Sequence, residues 1–557
     1  MDHPAPVGAG EAVFQQAVAL HERGRLDQAE LLYRALLGDN RDHLGARHNL
    51  GILCFQRGDY DGAVALTREV VRQQPELATA HNTLAVALKH LGRLAEAESS
   101  SREAVRQAPE YAEAHNTLGD TLTALGRFTE AEQCCRTALR LFPEYAEAHN
   151  NLATVLLSLG RPEEAEICAR RALRLKPLDA AVHANLGAIL FAAGRLDQAE
   201  LCYREALRLN PTDGAICGNL GNTLDLRGEL SQAVAAFERA LTLRPGDAAL
   251  LETWFSKKRL ICDWARFLQD EAKFRKGLSG EPRASAAFRL LGVSSTPAEQ
   301  FTYARRVAAQ LAVGQLGEFH GQSHGNRRRL RVGYLFLIQP TGHLIAGLVE
   351  NHDRQRFEII GYSASLDDGS ALRLRLARAF DRFVDVSEIQ DQDAAGLIRN
   401  DQLDILVDLI GFKPNGRAKI PAHRPSPLQV NYLGYPGTMG ADYIDYIIVD
   451  RFVAPQNQQP FFSERLVHLP GCYQCNDDKR EIAAHVPSRA ECGLPERGFV
   501  FCCFNDSYKL TPAFFDIWMQ LLNAVPGSVL WLLESAAEAK GNLAREAAAR
   551  GVAPERI

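Results

Sequence analysis

The sequence lacks any apolar stretch long enough to cross a membrane. Its 557 residues contain no apolar run near the roughly 18 residues that a membrane helix requires. The opening segment, MDHPAPVGAGEAVFQQ, has neither the basic start nor the apolar core of a secretion signal. We therefore expect a cytoplasmic protein that does not bind membranes.

A basic excess is also missing. The chain has 63 Lys and Arg against 68 Asp and Glu, a net charge of -5, whereas nucleic-acid-binding domains usually carry a basic patch or stripe. We therefore predict no nucleic-acid partner. The hydrophobic fraction of 46% and the charged fraction of 24% are ordinary for soluble proteins, and the length predicts two to four domains.

The 12 cysteines do not form a metal-binding pattern. Five of them lie in helical repeat patterns, where we expect buried free thiols: Cys54, Cys134, Cys135, Cys168 and Cys202. Cys472 and Cys475 form one CxxC pair, but a zinc site usually needs a second pair at a suitable spacing. The sequence offers no such second pair, so we predict no metal site.

A period of 34 residues runs through the N-terminal part of the chain. Glycine recurs at this step from Gly24 to Gly228, alanine from Ala29 to Ala233, and proline from Pro75 to Pro245. The glycine ends a first helix, the alanine lets a second helix pack closely against it, and the proline ends that second helix. This pattern resembles the tetratricopeptide repeat and predicts an α-solenoid of seven repeats over residues 11–247.

In six of the seven repeats, a polar residue precedes the packing leucine of the first helix. The series is Asn49, Thr83, Thr117, Asn151, Asn185 and Asn219. First helices line the concave face of such a superhelix, where asparagine amides can hydrogen-bond an extended peptide. The alternative is a row of solvated polar residues. We predict peptide contacts for the four asparagines, and the repeats also suit a homodimer.

The pattern changes after the repeats. Residues 248–328 indicate a helical linker, and strand patterns then alternate with helices, which predicts a parallel α/β sheet with its ligand at the carboxyl ends of the strands. The predicted strands are 329–336, 357–364, 383–386, 403–410, 428–434, 443–450, 499–504 and 529–533. We divide this part into a catalytic lobe, 329–480, and a partial nucleotide-binding lobe, 481–557, in a GT-B-like arrangement of two Rossmann-like lobes.

Three segments carry a family resemblance. Leu428–Asp450, Phe462–Arg480 and Phe501–Pro512 resemble the catalytic region of bacterial protein O-GlcNAc transferases, with LGYPGT and FNxxYK as the specific motifs. The asparagine series is similar to a ladder in that family. The resemblance implies metal-independent, inverting transfer of GlcNAc from UDP-GlcNAc to Ser or Thr of proteins bound by the repeats. It also implies a further segment with a His-Thr-Thr element, so we expect a truncated second lobe.

Lys509 is the first candidate catalytic residue. It lies in the loop after the strand 499–504, and the resemblance implies that it binds the UDP phosphates, where a lysine can neutralise charge that builds on a leaving group. Asn505 and Tyr508 share this loop and are assigned to substrate binding. The alternative is a solvated surface lysine.

The segment Gly434-Tyr435-Pro436-Gly437-Thr438 is the second candidate. Its glycines allow close backbone approach to a ligand, and the Thr438 hydroxyl can hydrogen-bond one. We assign all five residues to the sugar or acceptor pocket. The alternative is an ordinary structural turn.

The general base is open. Relatives usually read GYxSxDFxxHP where this chain reads GYLFLIQPTGHL, so Gln339 takes the histidine position. Glutamine cannot act as a base, and we assign Gln339 to substrate binding. His343, Asp401 and a donor phosphate oxygen are the alternatives, with a helix histidine and a helix-end carboxylate as plain structural interpretations. Two functions follow: an active O-GlcNAc transferase, or an inactive repeat scaffold with a degenerate transferase part.

Overall fold

The structure, a computed structural model, describes residues 7–313 and 328–557. The opening residues 1–6 and the part of the predicted linker over 314–327 lie outside the described residues. The chain divides into two compact units, 1–244 and 245–557. Within the described ranges, no helix has both the length and the apolar character needed to cross a bilayer.

Residues 7–243 form fourteen helices, α1–α14, that pair into seven hairpins. Their bounds are Val7–Glu22, Leu26–Asp39, Leu44–Gln56, Tyr60–Gln73, Ala78–His90, Leu94–Gln107, Ala112–Ala124, Phe128–Leu141, Ala146–Ser158, Pro162–Leu175, Ala180–Ala192, Leu196–Leu209, Gly214–Leu226 and Leu230–Leu243. The glycine between the two helices of each hairpin has a φ of 71–79°. This left-handed conformation explains why glycine recurs at that position.

The recurring alanines are fully buried between the helices of each hairpin. All seven, from Ala29 to Ala233, have 0% exposure. The six packing leucines that follow the polar series run from Leu50 to Leu220 at the same step. Five of them, from Leu50 to Leu186, are also buried. Each hairpin therefore buries small residues within itself and leucines against its neighbours, as a repeat stack requires.

The second unit begins with four helices. They are α15 (Ala248–Leu260), α16 (Phe267–Gly277), α17 (Ala284–Leu290) and α18 (Pro297–Leu311). Thr296 and Glu299 form a reciprocal capping box at the start of α18.

A seven-stranded sheet follows. Its strands are β1 (Leu330–Phe336), β2 (Phe357–Ser363), β3 (Arg382–Asp385), β4 (Ile405–Asp408), β5 (Leu428–Tyr432), β6 (Tyr446–Val449) and β7 (Arg465–His468). The order is β3-β2-β1-β4-β5-β6-β7, and all neighbours are parallel. The helices between the strands are α19 (His343–Glu350), α20 (Ala371–Ala379), α21 (Asp391–Asn400) and α22 (Lys419–Ala422). Strand β7 was not predicted.

A two-stranded parallel sheet completes the described chain. It contains β8 (Val500–Cys503) and β9 (Val529–Leu532), with helices α23 (Pro512–Ala524) and α24 (Ala537–Ala549). Helical repeats followed by parallel α/β structure confirm the predicted fold class.

The end of α15 anchors this second sheet. The Ser507 hydroxyl donates to the Leu260 carbonyl, the Asn542 amide donates to the Ile261 carbonyl at 2.6 Å, and the Trp264 ring meets Phe515 edge-on at 5.3 Å. These contacts fix the loop after β8, which carries Lys509.

Candidate functional site

A cavity of about 1130 Å³ lies within the second unit. Three parts of the chain line it: the helical segment 255–294, the loops that leave the large sheet, and the segment 508–516 after β8. Strands β1 and β4 are neighbours in the centre of the sheet. The strand that follows β1 lies toward one edge of the sheet, and the strand that follows β4 lies toward the other edge. The carboxyl ends of β1 and β4 therefore form a topological switch point. Pro340 after β1 and Lys413 after β4 both line the cavity.

Lys509 and Tyr508 reach this cavity from the loop after β8. The Lys509 ammonium donates to the Asn505 amide oxygen at 3.2 Å and lies 5.9 Å from the centroid of the Tyr508 ring. Burial raises the pKa of the Tyr508 phenol, while Arg289 and Arg259 act in the opposite direction. The loop therefore presents an exposed ammonium group beside a half-buried ring, next to further cations.

Four cationic residues of the cavity were missed by the sequence analysis: Arg259, Arg266, Arg289 and Lys413. Arg259 is 6% exposed, donates to the Gly292 carbonyl at 2.6 Å, and has its pKa lowered chiefly by burial. Arg289 donates to Glu252 at 2.8 Å. The three arginines come from the segment that was interpreted as a helical linker.

The segment 434–438 divides between the cavity and the protein interior. Gly434 and Pro436 line the cavity. A Cβ on Gly434 would collide with the Leu409 carbonyl, so this glycine permits the close approach of the β4 and β5 exit loops.

The other three residues of this segment do not reach the cavity wall. The Tyr435 ring is 2% exposed and packs 5.4 Å from Phe412, and a Cβ on Gly437 would crowd that ring. The Thr438 hydroxyl donates to the Glu464 carboxylate at 2.7 Å and accepts from the Gly440 amide at 3.0 Å. The Thr438 hydroxyl, which was expected to hydrogen-bond a ligand, therefore bonds to groups inside the protein.

The residues considered as general base do not lie together at the cavity. Gln339 is exposed and adjoins the cavity residue Pro340, whereas His343, the first residue of α19, does not line the cavity. Asp401 precedes β4 at its amino end, the end opposite to the cavity loops. Its carboxylate is 9% exposed, accepts from the Tyr362 hydroxyl at 2.6 Å and pairs with Arg382. The geometry therefore selects no base.

The model of glycosyl transferase family 41 matches residues 315–486 and 477–557. These ranges contain Lys509, Lys413 and the segment 434–438. The α/β part of the chain is similar to glycosyl transferase family 41. Tetratricopeptide-repeat models match residues 20–88 and 78–111, and the model of the cilia and flagella-associated protein 70 C-terminal domain matches 101–252. The three arginines of the cavity precede the family 41 match.

Two similar proteins share the same type of name. A probable UDP-N-acetylglucosamine–peptide N-acetylglucosaminyltransferase of Arabidopsis thaliana, SEC, is 39% identical over 241 residues, 42% of this chain and 25% of the relative. The UDP-N-acetylglucosamine–peptide N-acetylglucosaminyltransferase of Caenorhabditis elegans is 26% identical over 347 residues, 42% of this chain and 30% of the relative. The chain thus spans between a quarter and a third of the length of these relatives.

A solved structure of a mutant Thermobaculum terrenum O-GlcNAc transferase has a TM-score of 0.49 and 26% identity, covering 74% of this chain and 73% of that one. The curated relatives described above come from a plant and a nematode, so a specific place among bacterial members stays a prediction.

In the repeats, two predicted peptide-contacting asparagines bond to neighbouring repeats. The Asn151 amide donates to the Asn116 oxygen at 3.0 Å, and the Asn185 amide donates to the Asn150 oxygen at 3.0 Å. Asn49 is half-buried and Asn219 is exposed. The Asn185 amide also donates to the Thr154 hydroxyl at 3.3 Å. An amide has two N–H donors and an oxygen, so Asn185 keeps its oxygen for a peptide, and Asn151 keeps one N–H and its oxygen. Peptide contact stays a prediction.

The cysteines are free thiols throughout the described chain. Six of them lie in the repeat helices, the five expected there and Cys217 of α13. Cys54, Cys135 and Cys217 are buried, and the other three are half-buried. Cys472 is exposed and Cys475 is half-buried. In residues 7–313 and 328–557, no group of three His, Cys, Asp or Glu side chains is placed to hold a metal ion.

Proposed function

We propose that this chain is a protein O-GlcNAc transferase, which moves GlcNAc from UDP-GlcNAc to Ser or Thr residues of proteins held by the repeats. The observation that carries the proposal is the position of Lys509. Lys509 lines a cavity of about 1130 Å³ at the carboxyl ends of the strands, together with Lys413 and three arginines. A cavity of this size and charge suits a nucleotide diphosphate sugar, and the names of the relatives specify the sugar and the acceptor.

The proposed reaction breaks the bond between the anomeric carbon of GlcNAc and the distal phosphate oxygen. The bonding electrons leave with UDP, and the acceptor hydroxyl oxygen bonds to the same carbon from the opposite face. Lys509 stabilises the negative charge that develops on the departing diphosphate. This role requires no metal ion, and metal-independent transfer is part of the proposal. The acceptor proton passes to a base that is unassigned among His343, Asp401 and a donor phosphate oxygen.

The repeats complete the proposal. We assign the acceptor protein to the first helices that carry Asn49, Asn151, Asn185 and Asn219, and a homodimer through the repeats remains part of the same hypothesis. The proposed setting is the cytoplasm, without nucleic-acid or membrane partners, and the proposed relationship is to bacterial members of the family.

A second function is an inactive repeat scaffold with a degenerate transferase unit. One observation favours it: Gln339 stands in the position of the family's histidine, and neither His343 nor Asp401 lines the cavity. Without a base, the cavity can bind a nucleotide sugar yet transfer it slowly or not at all.

Calorimetric titration of UDP into the intact chain tests the proposal. We expect Lys509→Met to weaken binding about tenfold or more, equivalent to about 1.4 kcal/mol. The matched control is Lys540→Met, an exposed lysine of α24 that does not line the cavity. No binding at millimolar UDP would contradict the proposed enzyme, and binding that Lys509→Met leaves unchanged would contradict the role assigned to Lys509.

A further inference from the structure

Lys413 brings a second lysine ammonium to the cavity from a different wall. It lies in the loop after β4, at the switch point, whereas Lys509 comes from the loop after β8. The Lys413 ammonium donates to the Thr341 hydroxyl at 3.2 Å. Thr341 belongs to the turn after β1, so Lys413 bridges the two exit loops that form the crevice.

The protein supplies few hydrogen-bond acceptors to the Lys413 ammonium. Across residues 7–313 and 328–557, its hydrogen bond to Thr341 is the only one it makes, although an ammonium has three donors. Burial lowers the pKa of Lys413; Asp408 acts in the opposite direction, and the positive charge of Lys509 lowers it further. The positive charge of Lys509 therefore acts on Lys413, and both residues line the same cavity.

Asp408 does not neutralise this charge in full. It is 2% exposed, and its Oδ1 accepts from the backbone amides of Ile410 and Gly411 at 2.8 and 3.1 Å. Its Oδ2 has no hydrogen-bond partner among the described residues, and burial raises the pKa of the carboxyl. A carboxyl that burial shifts toward its neutral form is a weak counter-charge.

The two acidic side chains that line the cavity are bound to groups other than Lys413 and Lys509. They are Glu271 and Asp516. Glu271 accepts from the Ser294 amide at 2.9 Å, and Asp516 pairs with Arg550. The space beside Lys413 and Lys509 is therefore electropositive, and an anion placed there would interact favourably with both groups.

We propose that Lys413 provides a second cationic contact for the diphosphate of the donor nucleotide, so that lysines from two loops hold it together. This inference rests on the proposed function. As the bond to GlcNAc breaks, the bonding electron pair goes to the diphosphate, and Lys413 remains protonated and stabilises that charge. The competing interpretation is a purely structural bridge to Thr341.

Calorimetry with two ligands separates these interpretations. UDP and uridine, which lacks phosphate, are titrated into the intact wild-type chain, Lys413→Met and Lys413→Arg. The matched control is Lys419→Met, an exposed lysine of α22 outside the cavity. We expect Lys413→Met to weaken UDP binding about tenfold and uridine binding less than about twofold. Arginine should restore most of the UDP affinity because it keeps the charge.

Three results would overturn the inference. If the wild type binds UDP and Lys413→Met binds it equally well, Lys413 has no role in diphosphate binding, and the proposed function stands. If Lys413→Met weakens UDP and uridine by the same factor, the lysine acts as a structural bridge. If the wild type does not bind UDP at millimolar concentration, the proposed function fails and this role of Lys413 fails with it.

Discussion

In the repeat unit, the residues that recur every 34 positions are the ones that pack, such as the buried alanines and the turn glycines. In the α/β unit, the side chains that line the cavity come from positions as distant in sequence as Arg259, Lys413 and Lys509. The first unit is built from local contacts between neighbouring hairpins. The second is built from contacts that only the complete fold creates.

The two units also differ in where their charged side chains lie. In the repeats, an arginine near the start of one second helix pairs with a glutamate of the preceding hairpin, as in Arg127–Glu98, Arg161–Glu132 and Arg195–Glu166. Such exposed pairs each contribute little to stability. The α/β unit has such pairs too, for example Arg354–Asp381, and in addition it brings Arg259, Lys413 and Lys509 to one cavity. The comparison therefore separates residues that maintain a stack from residues that form a site.

The largest effect should come from Gly434→Ala in the α/β unit. The new Cβ would collide with the Leu409 backbone, which cannot move as a flexible side chain can. We expect a loss of about 3 kcal/mol in the stability of this unit, measured by calorimetric unfolding.

Gly396→Ala is the matched control for Gly434→Ala. Gly396 lies inside α21 with nothing near its Cβ position, so alanine there should be neutral or stabilising by about 0.5 kcal/mol. Equal melting of the two variants would contradict the packing role assigned to Gly434.

A substitution of the same kind in the repeats is Ala131→Leu. Ala131 has 0% exposure between α7 and α8, so the added atoms force the hairpin apart at a cost of about 2 kcal/mol. Hydrogen exchange should show the loss within the repeats and leave the α/β unit unchanged. Gln133→Leu, exposed on the same helix, is the control. Loss of protection in both units would break the division between them.

Nucleotide binding should depend on pH through Lys413. Its pKa is lowered chiefly by burial, with Asp408 opposing and Lys509 adding to the effect. A bound anion favours the charged form and raises this pKa, so UDP affinity is full below the pKa of the free protein. As pH rises through that pKa toward the ordinary lysine value of about 10.4, affinity should fall by up to about tenfold.

Lys413→Met should remove this pH dependence at alkaline pH. The measurement is the UDP dissociation constant across the alkaline range for the wild type and the variant. An unchanged profile in Lys413→Met would assign the titration to another group.

The smallest effect is expected for Asn151→Ala. Its amide bonds to Asn116 of the neighbouring repeat, and one further N–H and the oxygen are available to a peptide. We expect KM for a protein acceptor to rise about threefold, equivalent to about 0.7 kcal/mol, with kcat unchanged. Gln133→Ala is the control. A change in thermal stability without a change in KM would make the asparagine series purely structural.

Much of the fold could be predicted because its signals are local. The period places every turn glycine, and apolar runs predict eight of the nine strands within a few residues. Strand β7 was missed because its residues alternate between exposed and half-buried, so Arg465–His468 lacks an apolar run. An edge strand of this kind carries a weak pattern.

The site was harder to predict because its contacts are long-range. Lys509 was found through a motif, but nothing near Arg259 or Lys413 in the sequence shows that they share a cavity. The Thr438 hydroxyl is used by Glu464, which lies 26 residues further along the chain. Side-chain chemistry alone allowed a ligand contact at Thr438, and only the packing of the loops shows where its hydroxyl goes.

The most direct test of the central claim is a transfer assay with the intact chain, UDP-GlcNAc and a library of Ser- and Thr-containing peptides. Mass spectrometry identifies peptides that gain one N-acetylhexosamine, and the rate is compared for the wild type, Lys509→Met and Lys540→Met. We predict transfer by the wild type and by Lys540→Met, and transfer about 100-fold slower by Lys509→Met. No transfer above background by the wild type, or equal rates for the wild type and Lys509→Met, would contradict it.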